Sequence, residues 1–224
     1  FLGGNAMGVH SQRWVQFPKT PSNVPIFVDH PHFVAWVEDQ LAQGNMQNER
    51  HLWTSVRPNG PERPHVLNRL ELRICDLVGN VDLLLAITAL LELRIINLKN
   101  NMTKYDPMEA STNTPKELAL LADENDLIAA KFSLDANLSH WESGRQINCR
   151  DWINELVLEV TPLAKELDMF ELLQPIESVL KHGNQSMIWL NSHAKGVSIQ
   201  SLLQEGIVEM EREETNFIQL KSTQ

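Results

Sequence analysis

The sequence predicts an α+β fold, in which three antiparallel strands lie among helices and a mainly helical region follows. Residues 70–75 alternate strictly between apolar and polar side chains, which is the period of a half-buried strand. After Asn100 and Asn101 the apolar residues take helical spacing almost throughout. A chain of 224 residues can also bury a sizeable core. We therefore expect a sheet-bearing region over residues 1–110 and a helical C-terminal region of the same domain over 111–224.

The three strands are predicted from β-branched, aromatic and alternating residues, over 9–17, 51–57 and 70–75. Residues 58–61, Pro-Asn-Gly-Pro, should end the second strand, because proline and glycine interrupt a strand ladder. In the third strand Leu70, Leu72 and Ile74 share one face, and Glu71, Arg73 and Cys75 share the other.

The helices are predicted from apolar spacing and from residues typical of helix ends. Thr114-Pro115-Lys116-Glu117 is a strong helix start, with Thr as N-cap and Pro in the first turn. The helix over 81–98 is apolar on most sides, which predicts a central position, and Gly183 should end another helix. The remaining helices are expected over 31–43, 150–166, 168–182 and 198–214.

The net charge of −10 is unevenly distributed along the chain. The first hundred residues carry nine basic and nine acidic side chains, so the whole excess of acid lies in residues 101–224. Five arginines fall between Arg50 and Arg73. The acidic balance argues against non-specific binding of nucleic acid, which needs a basic surface. If the protein binds an anionic small molecule, the first hundred residues are where we expect the site.

Cys75 and Cys149 are too few for a disulfide framework and lack the spacing of a structural zinc site. A single disulfide remains open, but reduced thiols and a cytoplasmic location are the expectation. The apolar run from Leu83 to Leu91 is about half of what a membrane span needs. No basic signal-peptide region precedes it at the start of the chain, so no membrane is expected as a partner.

Two short motifs have both a chemical and a structural interpretation. Gly3 and Gly8 have the separation of a phosphate-binding loop, but Val9-His10 stand where Lys-Ser/Thr should follow, so a tight turn is favoured. His30 and His32 flank a proline and are suited to a metal, yet no third ligand has suggestive spacing. Surface histidines near a helix start are the favoured alternative.

The strands over 51–57 and 70–75 carry the strongest chemical motif. Glu71 and Arg73 share a face, and Arg57 is available from a neighbouring strand. A carboxylate can hold Mg²⁺ through oxygen, and arginines can bind phosphate or carboxylate with two hydrogen bonds. The alternative is a cross-strand salt bridge on a solvated face, worth about 0–1 kcal/mol. The residues alone leave both interpretations open.

Two blocks of the sequence carry a family resemblance. The first runs from Gly4 to Trp14 and continues with Phe17-Pro18 and Pro25-Ile26-Phe27, and the second pairs Leu52-Trp53-Thr54-Ser55-Val56-Arg57-Pro58 with Leu70-Glu71-Leu72-Arg73-Ile74-Cys75-Asp76. These blocks resemble the GCS2-type glutamate–cysteine ligases, most closely the cyanobacterial type and more distantly other carboxylate–amine ligases. Residues 129–135, Ala-Ala-Lys-Phe-Ser-Leu-Asp, resemble a later block in which the basic residue is often Arg and Ser133 is often Gly.

The resemblance implies a glutamine-synthetase-like antiparallel sheet, of which this chain holds part, with ATP, Mg²⁺ and glutamate on its concave face. It implies that ATP phosphorylates the γ-carboxylate of glutamate and that the amine of cysteine then displaces phosphate, the first step of glutathione biosynthesis. By motif, the resemblance implies that Glu71 is a metal ligand and that Arg73 and Arg57 are the catalytic residues. Arg73 would contact the nucleotide phosphates, and Arg57 and Arg13 would contact phosphate or the glutamate carboxylate. Arg57, Arg73, Arg13 and Ser11 would bind substrate or nucleotide.

The family also carries metal-binding glutamates and a histidine-containing strand before the block that opens this chain. We therefore expect the 224 residues alone to have no ligase activity. Two alternatives stay open: a ligase with another amine acceptor, and a non-catalytic remnant or interaction module. The sequence does not identify the amine, the oligomeric state or the role of the acidic C-terminal region.

Overall fold

The structure, a computed structural model, describes residues 21, 24–49, 52, 56–59, 69–72 and 78–222, with side chains except at 56–59, 72, 103 and 216–222. These residues form helices and two small antiparallel sheets, which agrees with an α+β fold. The helices are α1 His30–Ala42, α2 Val81–Asn100, α3 Met102–Tyr105, α4 Pro107–Ala110, α5 Pro115–Phe132, α6 Cys149–Glu166, α7 Gln174–His182, α8 Gln185–Ala194 and α9 Ile199–Ser222. The strands are β1 Val56–Asn59, β2 Arg69–Leu72, β3 Asn137–Ser139 and β4 Gln146–Asn148.

Most helices begin where side chains can satisfy their first free backbone N–H groups. Thr114 accepts a hydrogen bond from the backbone N–H of Glu117, whose carboxylate accepts one from the N–H of Thr114, forming the predicted capping box. Asn80 caps α2 in the same way by accepting from the N–H of Leu83 at 2.7 Å. Gly183, with φ of +95°, follows the last residue of α7 as predicted.

The main core is formed by one face of α2, packed against α6, α7 and a short 3-10 helix, Phe170–Leu173. It consists of Ala86, Ala89, Leu93, Val160, Ala164, Leu173 and Ile176. The central position predicted for α2 is therefore correct for this face. Its opposite face is open, since Leu84 is 49% exposed and Leu85 is 48% exposed. Residues from both sides of position 110 contribute to this core. The division of the domain into regions 1–110 and 111–224 remains a prediction.

The described residues also form two smaller cores. Phe33 and Val37 of α1 pack with Met46 and Leu52. Ala136, Leu138 and Ile147 form the third core, around the hairpin of β3 and β4.

Several predicted element boundaries are wrong. The strand expected over 51–57 is observed at Val56–Asn59, so it continues through Pro58 instead of ending there. A strand tolerates a proline where the missing N–H faces away from the paired strand, and among the described residues β1 pairs with β2 alone. The helix expected over 168–182 is divided, and α7 begins at Gln174 because Pro175 suits the first turn but not the interior of a helix. Helix α9 extends to Ser222, beyond the predicted residue 214.

The predicted sheet is observed only in part. Strands β1 and β2 form one ribbon and β3 and β4 another, and the predicted strand over 9–17 lies outside the described residues. Leu70 is 55% exposed, and in the described part of the chain β1 and β2 contact mainly each other. Among the described helices, none combines the length and apolar content needed to cross a membrane.

Candidate functional site

The β1–β2 ribbon places the two described residues of the predicted site opposite each other. In its antiparallel register Arg57 pairs with Glu71, flanked by Val56 with Leu72 and Pro58 with Leu70. Residues directly opposite in such a ribbon occupy the same face, with Cβ atoms about 4.5–5.5 Å apart. The strands bearing Arg57 and Glu71 are therefore neighbours, as the sequence predicts. Glu71 is partly exposed, which suits a group that receives a ligand from solvent.

The other predicted site residues, Ser11, Arg13 and Arg73, lie outside the described residues. Their roles, and those of Arg57 and Glu71, remain predictions.

The donor chemistry of Glu71 fits one ligand of a magnesium site. Among the described residues, no three His, Cys, Asp or Glu side chains are grouped so that they could hold a metal ion. Mg²⁺ bound with a nucleotide does not need such a cage, because one or two carboxylates, substrate phosphates and water complete its coordination. One carboxylate on a sheet face is thus compatible with this kind of site.

His30 and His32 belong to the start of α1. The Nδ1 atom of His32 accepts from the backbone N–H of Val28 at 3.3 Å, and the ring lies edge-on to Phe27. Asp29 caps the helix by accepting from the N–H of His32 at 2.8 Å. This arrangement agrees with surface histidines near a helix start, the favoured alternative to a metal site.

Residues 129–135, which carry the later family resemblance, form a structural junction. Ser133 follows α5 with φ of +54° and ψ of −131°, a conformation that favours glycine. Its hydroxyl accepts from the side-chain amide of Asn184 at 2.7 Å. Asp135 accepts from the Nε and Nη2 atoms of Arg150 at 3.1 and 3.0 Å, and Arg150 also donates to the carbonyl of Leu180. Sequence reasoning missed Arg150, since its partners are 15 and 30 residues away.

Cys149 is a free thiol at the first residue of α6. Burial raises its pKa, and the charge of neighbouring Arg150 offsets only part of that effect. The thiol is therefore protonated at neutral pH and a poor nucleophile. Cys75 lies outside the described residues.

Comparison with known proteins gives a family match and several similar sequences. The family model described as glutamate–cysteine ligase family 2 (GCS2) matches residues 1–214. A Frankia alni protein provisionally named glutamate–cysteine ligase 2-1 is 27% identical over 185 residues, which cover 82% of this chain and 45% of that protein. A Solibacter usitatus protein provisionally named glutamate–cysteine ligase 2 is 27% identical, over 82% of this chain and 46% of that protein. A Sorangium cellulosum protein with the same provisional name is 24% identical, over 91% of this chain and 52% of that protein. The chain spans about half the length of these curated relatives.

Proposed function

We propose, from the premise that this chain belongs to glutamate–cysteine ligase family 2, that the complete protein containing it joins the γ-carboxylate of glutamate to the amine of cysteine. The observation that carries the proposal is that the family match spans the ribbon in which Arg57 lies opposite Glu71. In this proposal the ribbon is part of a glutamine-synthetase-like sheet that binds ATP and glutamate.

The proposed reaction has two transfers. An oxygen of the γ-carboxylate of glutamate attacks the terminal phosphorus of ATP, the bond to the bridging oxygen breaks, and ADP leaves. The amine of cysteine then attacks the carbon of the γ-glutamyl phosphate, phosphate leaves with the transferred oxygen, and the nitrogen loses a proton. Phosphoryl transfer depends mainly on positioning and charge neutralisation, so a protein nucleophile is not required.

The residues of the ribbon suit this chemistry. Arg57 and Arg73 are assigned to the phosphate oxygens, where a guanidinium group can neutralise charge and hold two oxygens at once. Arg13 and Ser11 are assigned to the carboxylate of glutamate or to the nucleotide. Glu71 would hold Mg²⁺, which, when bound, neutralises the phosphates of ATP and polarises the bond that breaks.

An isotope experiment tests both the reaction and its intermediate. The complete protein is incubated with ATP, Mg²⁺, cysteine and glutamate labelled with ¹⁸O in the γ-carboxylate. We expect ADP release that depends on both amino acids, and one ¹⁸O atom in each phosphate released. Release of unlabelled phosphate would contradict a γ-glutamyl phosphate. Release that depends on another amine would assign the protein to the related ligases, and absence of release with every amine would favour a non-catalytic module.

A further inference from the structure

A cleft of about 560 Å³ lies between the C-terminal half of α2, the residues around α3, the turn joining β3 to β4, and one face of α6. Its size falls in the range typical of small-molecule sites. No described residue of the β1–β2 ribbon lines it.

The floor of the cleft holds a partly buried ion-pair cluster. Glu159, whose side chain is 25% exposed, lies 3.5 Å from the Nη1 atom of Arg94 and 3.8 Å from the Nζ atom of Lys104. Burial lowers the pKa of Arg94, and the charge of Glu159 opposes that shift. The Lys104 ammonium also donates to the hydroxyl of Tyr105 at 3.0 Å. Both signs of charge are therefore presented here, on the partly buried Arg94 and Glu159 and on Lys104, whose side chain is 70% exposed.

Arg145 and Glu155 form a second ion pair in the cleft. The Nη2 atom of Arg145 lies 2.8 Å from the Oε2 atom of Glu155, and both side chains are about half exposed, at 48% and 50%. A pair this exposed contributes little to stability, so its partners can be exchanged for those of a ligand at low cost.

One wall is aromatic and held by the backbone. The ring of His140 stacks on Trp141 at 5.8 Å between centroids and lies 4.9 Å from Trp152. The carbonyl of Trp141 accepts from the hydroxyl of Ser111 at 2.7 Å and from the amide of Asn113 at 3.0 Å. These bonds fix the turn, so the wall is formed before any ligand arrives.

The His140 ring is neutral at neutral pH and can donate a hydrogen bond. Burial lowers its pKa, as does the nearby charge of Arg145, against smaller opposing effects of Glu142 and Glu155. Its Nδ1 atom accepts from the backbone N–H of Glu142 at 3.3 Å, which leaves the proton on Nε2.

The charges that line the cleft are balanced. Three basic and three acidic side chains contribute: Arg94, Lys104, Arg145, Glu142, Glu155 and Glu159. A ligand of one sign would compete for Glu159 or for Arg94 and leave the other partly buried charge without its partner, which is costly. A ligand that carries both a positive and a negative charge can give each member of a separated ion pair a new partner.

The geometry points to a binding site for a zwitterionic α-amino acid with an apolar or aromatic side chain. Its carboxylate is placed at Lys104 and Arg145, its ammonium group at Glu155 and Glu159, and its side chain against Trp152. This inference does not depend on the proposed ligase activity.

Calorimetric titration of the full 224-residue chain tests the inference with three compounds. L-Phenylalanine carries both charges, 3-phenylpropanoate lacks the ammonium group, and phenethylamine lacks the carboxylate. Loss of one charge-assisted hydrogen bond weakens binding by about tenfold or more. We therefore expect saturable binding of L-phenylalanine and at least about tenfold weaker binding of the other two. Absence of saturable L-phenylalanine binding, or equal binding of the three compounds, would overturn the inference.

Two surface variants locate the site without disturbing the core. Glu155→Gln removes the proposed partner of the ammonium group, and Lys104→Gln, at a side chain 70% exposed, removes a partner of the carboxylate. The matched control is Glu209→Gln, a glutamate 52% exposed that is paired with Arg212 on α9. Each cleft variant should weaken L-phenylalanine binding about tenfold, and the control should leave it unchanged. Equal effects of the cleft variants and the control would place binding elsewhere.

Discussion

Ser133 stands in a backbone conformation that costs free energy, and its replacement by glycine tests the size of that cost. With φ of +54° and ψ of −131°, it lies outside the regions open to residues with a Cβ atom. Such a residue costs about 1–3 kcal/mol. Ser133→Gly removes this cost but also removes the hydroxyl that accepts from Asn184 at 2.7 Å, a bond worth about 0.5–1.5 kcal/mol.

Ser133→Ala is the matched variant, because it loses the same hydrogen bond and keeps the Cβ atom. The difference between the two variants therefore contains the backbone strain at Ser133 and the effect of glycine on the unfolded chain. Glycine also gives the unfolded chain more freedom, which costs the folded state about 0.5–1 kcal/mol. We expect the free energy of unfolding of the Ser133→Gly variant to exceed that of the Ser133→Ala variant by about 0.5–2 kcal/mol.

Urea unfolding of the full chain, followed by far-ultraviolet circular dichroism, measures this difference. If the free energy of unfolding falls with urea concentration at the same slope in both variants, the two proteins expose similar surface on unfolding and their stabilities can be compared directly. If Ser133→Ala were as stable as Ser133→Gly, or more stable, backbone strain at Ser133 would be refuted.

Three further predictions concern stability and thiol reactivity. Thr114→Ala should lower the free energy of unfolding by about 1 kcal/mol through loss of the N-cap. Hydrogen bonds from the hydroxyl and the backbone N–H of Thr114 lower the pKa of Glu117. The variant removes the hydroxyl bond and keeps the backbone bond, so NMR titration should show the pKa of Glu117 moved part of the way to its ordinary value. Leu93→Ala, at a side chain with 0% exposure, should cost about 2–5 kcal/mol in urea unfolding; a cost near zero would contradict the core assignment. In a Cys75→Ser background, Cys149 should react with a disulfide reagent more slowly than free cysteine, because burial raises its pKa; a rate equal to that of free cysteine would contradict this burial.

Local signals in the sequence predicted the elements that are fixed by neighbouring residues. The capping box of Thr114 and Glu117 lies within four residues, and both members are typical of a helix start. The apolar spacing of residues 81–98 likewise predicted α2 to within two residues of its observed end. Alternating polar and apolar residues predicted the strands that bear Arg57 and Glu71. The antiparallel register confirms that these two strands are neighbours.

Elements fixed by distant contacts were not predicted. Strands β3 and β4 have only three residues each, too few for alternation to be recognised. Strand β3 is held instead by Asn125, whose side chain bonds both the N–H and the carbonyl of Ser139 from 14 residues away. Helix α8 was also missed, although Asn184 caps it by accepting from the N–H of Met187. The open face of α2 is likewise a property of packing, and apolar content alone did not reveal it.

The cleft had no signal in the sequence either. Arg94 and Lys104 are separated by more than thirty residues from the turn at Trp141. They meet that turn only because α2 packs on α6 and Ser111 ties the intervening segment to Trp141. Spacing rules describe residues on one element, so a site assembled from several elements becomes visible only in the fold.

The assignment of Glu71 as the carboxylate that holds Mg²⁺ is the central claim of the proposed function. The most direct test is the Mg²⁺ dependence of ADP release by the complete protein and its Glu71→Gln variant. The control is Glu38→Gln, an isosteric change on the exposed surface of α1. Loss of a group that supports transition-state charge typically lowers turnover by about 10²-fold.

We therefore predict that Glu71→Gln lowers turnover by about 10²-fold and raises the Mg²⁺ concentration needed for half-maximal rate, while Glu38→Gln changes neither. Circular dichroism of both variants should match that of the unchanged protein. A normally folded Glu71→Gln variant that keeps its full rate at saturating Mg²⁺ would contradict the claim.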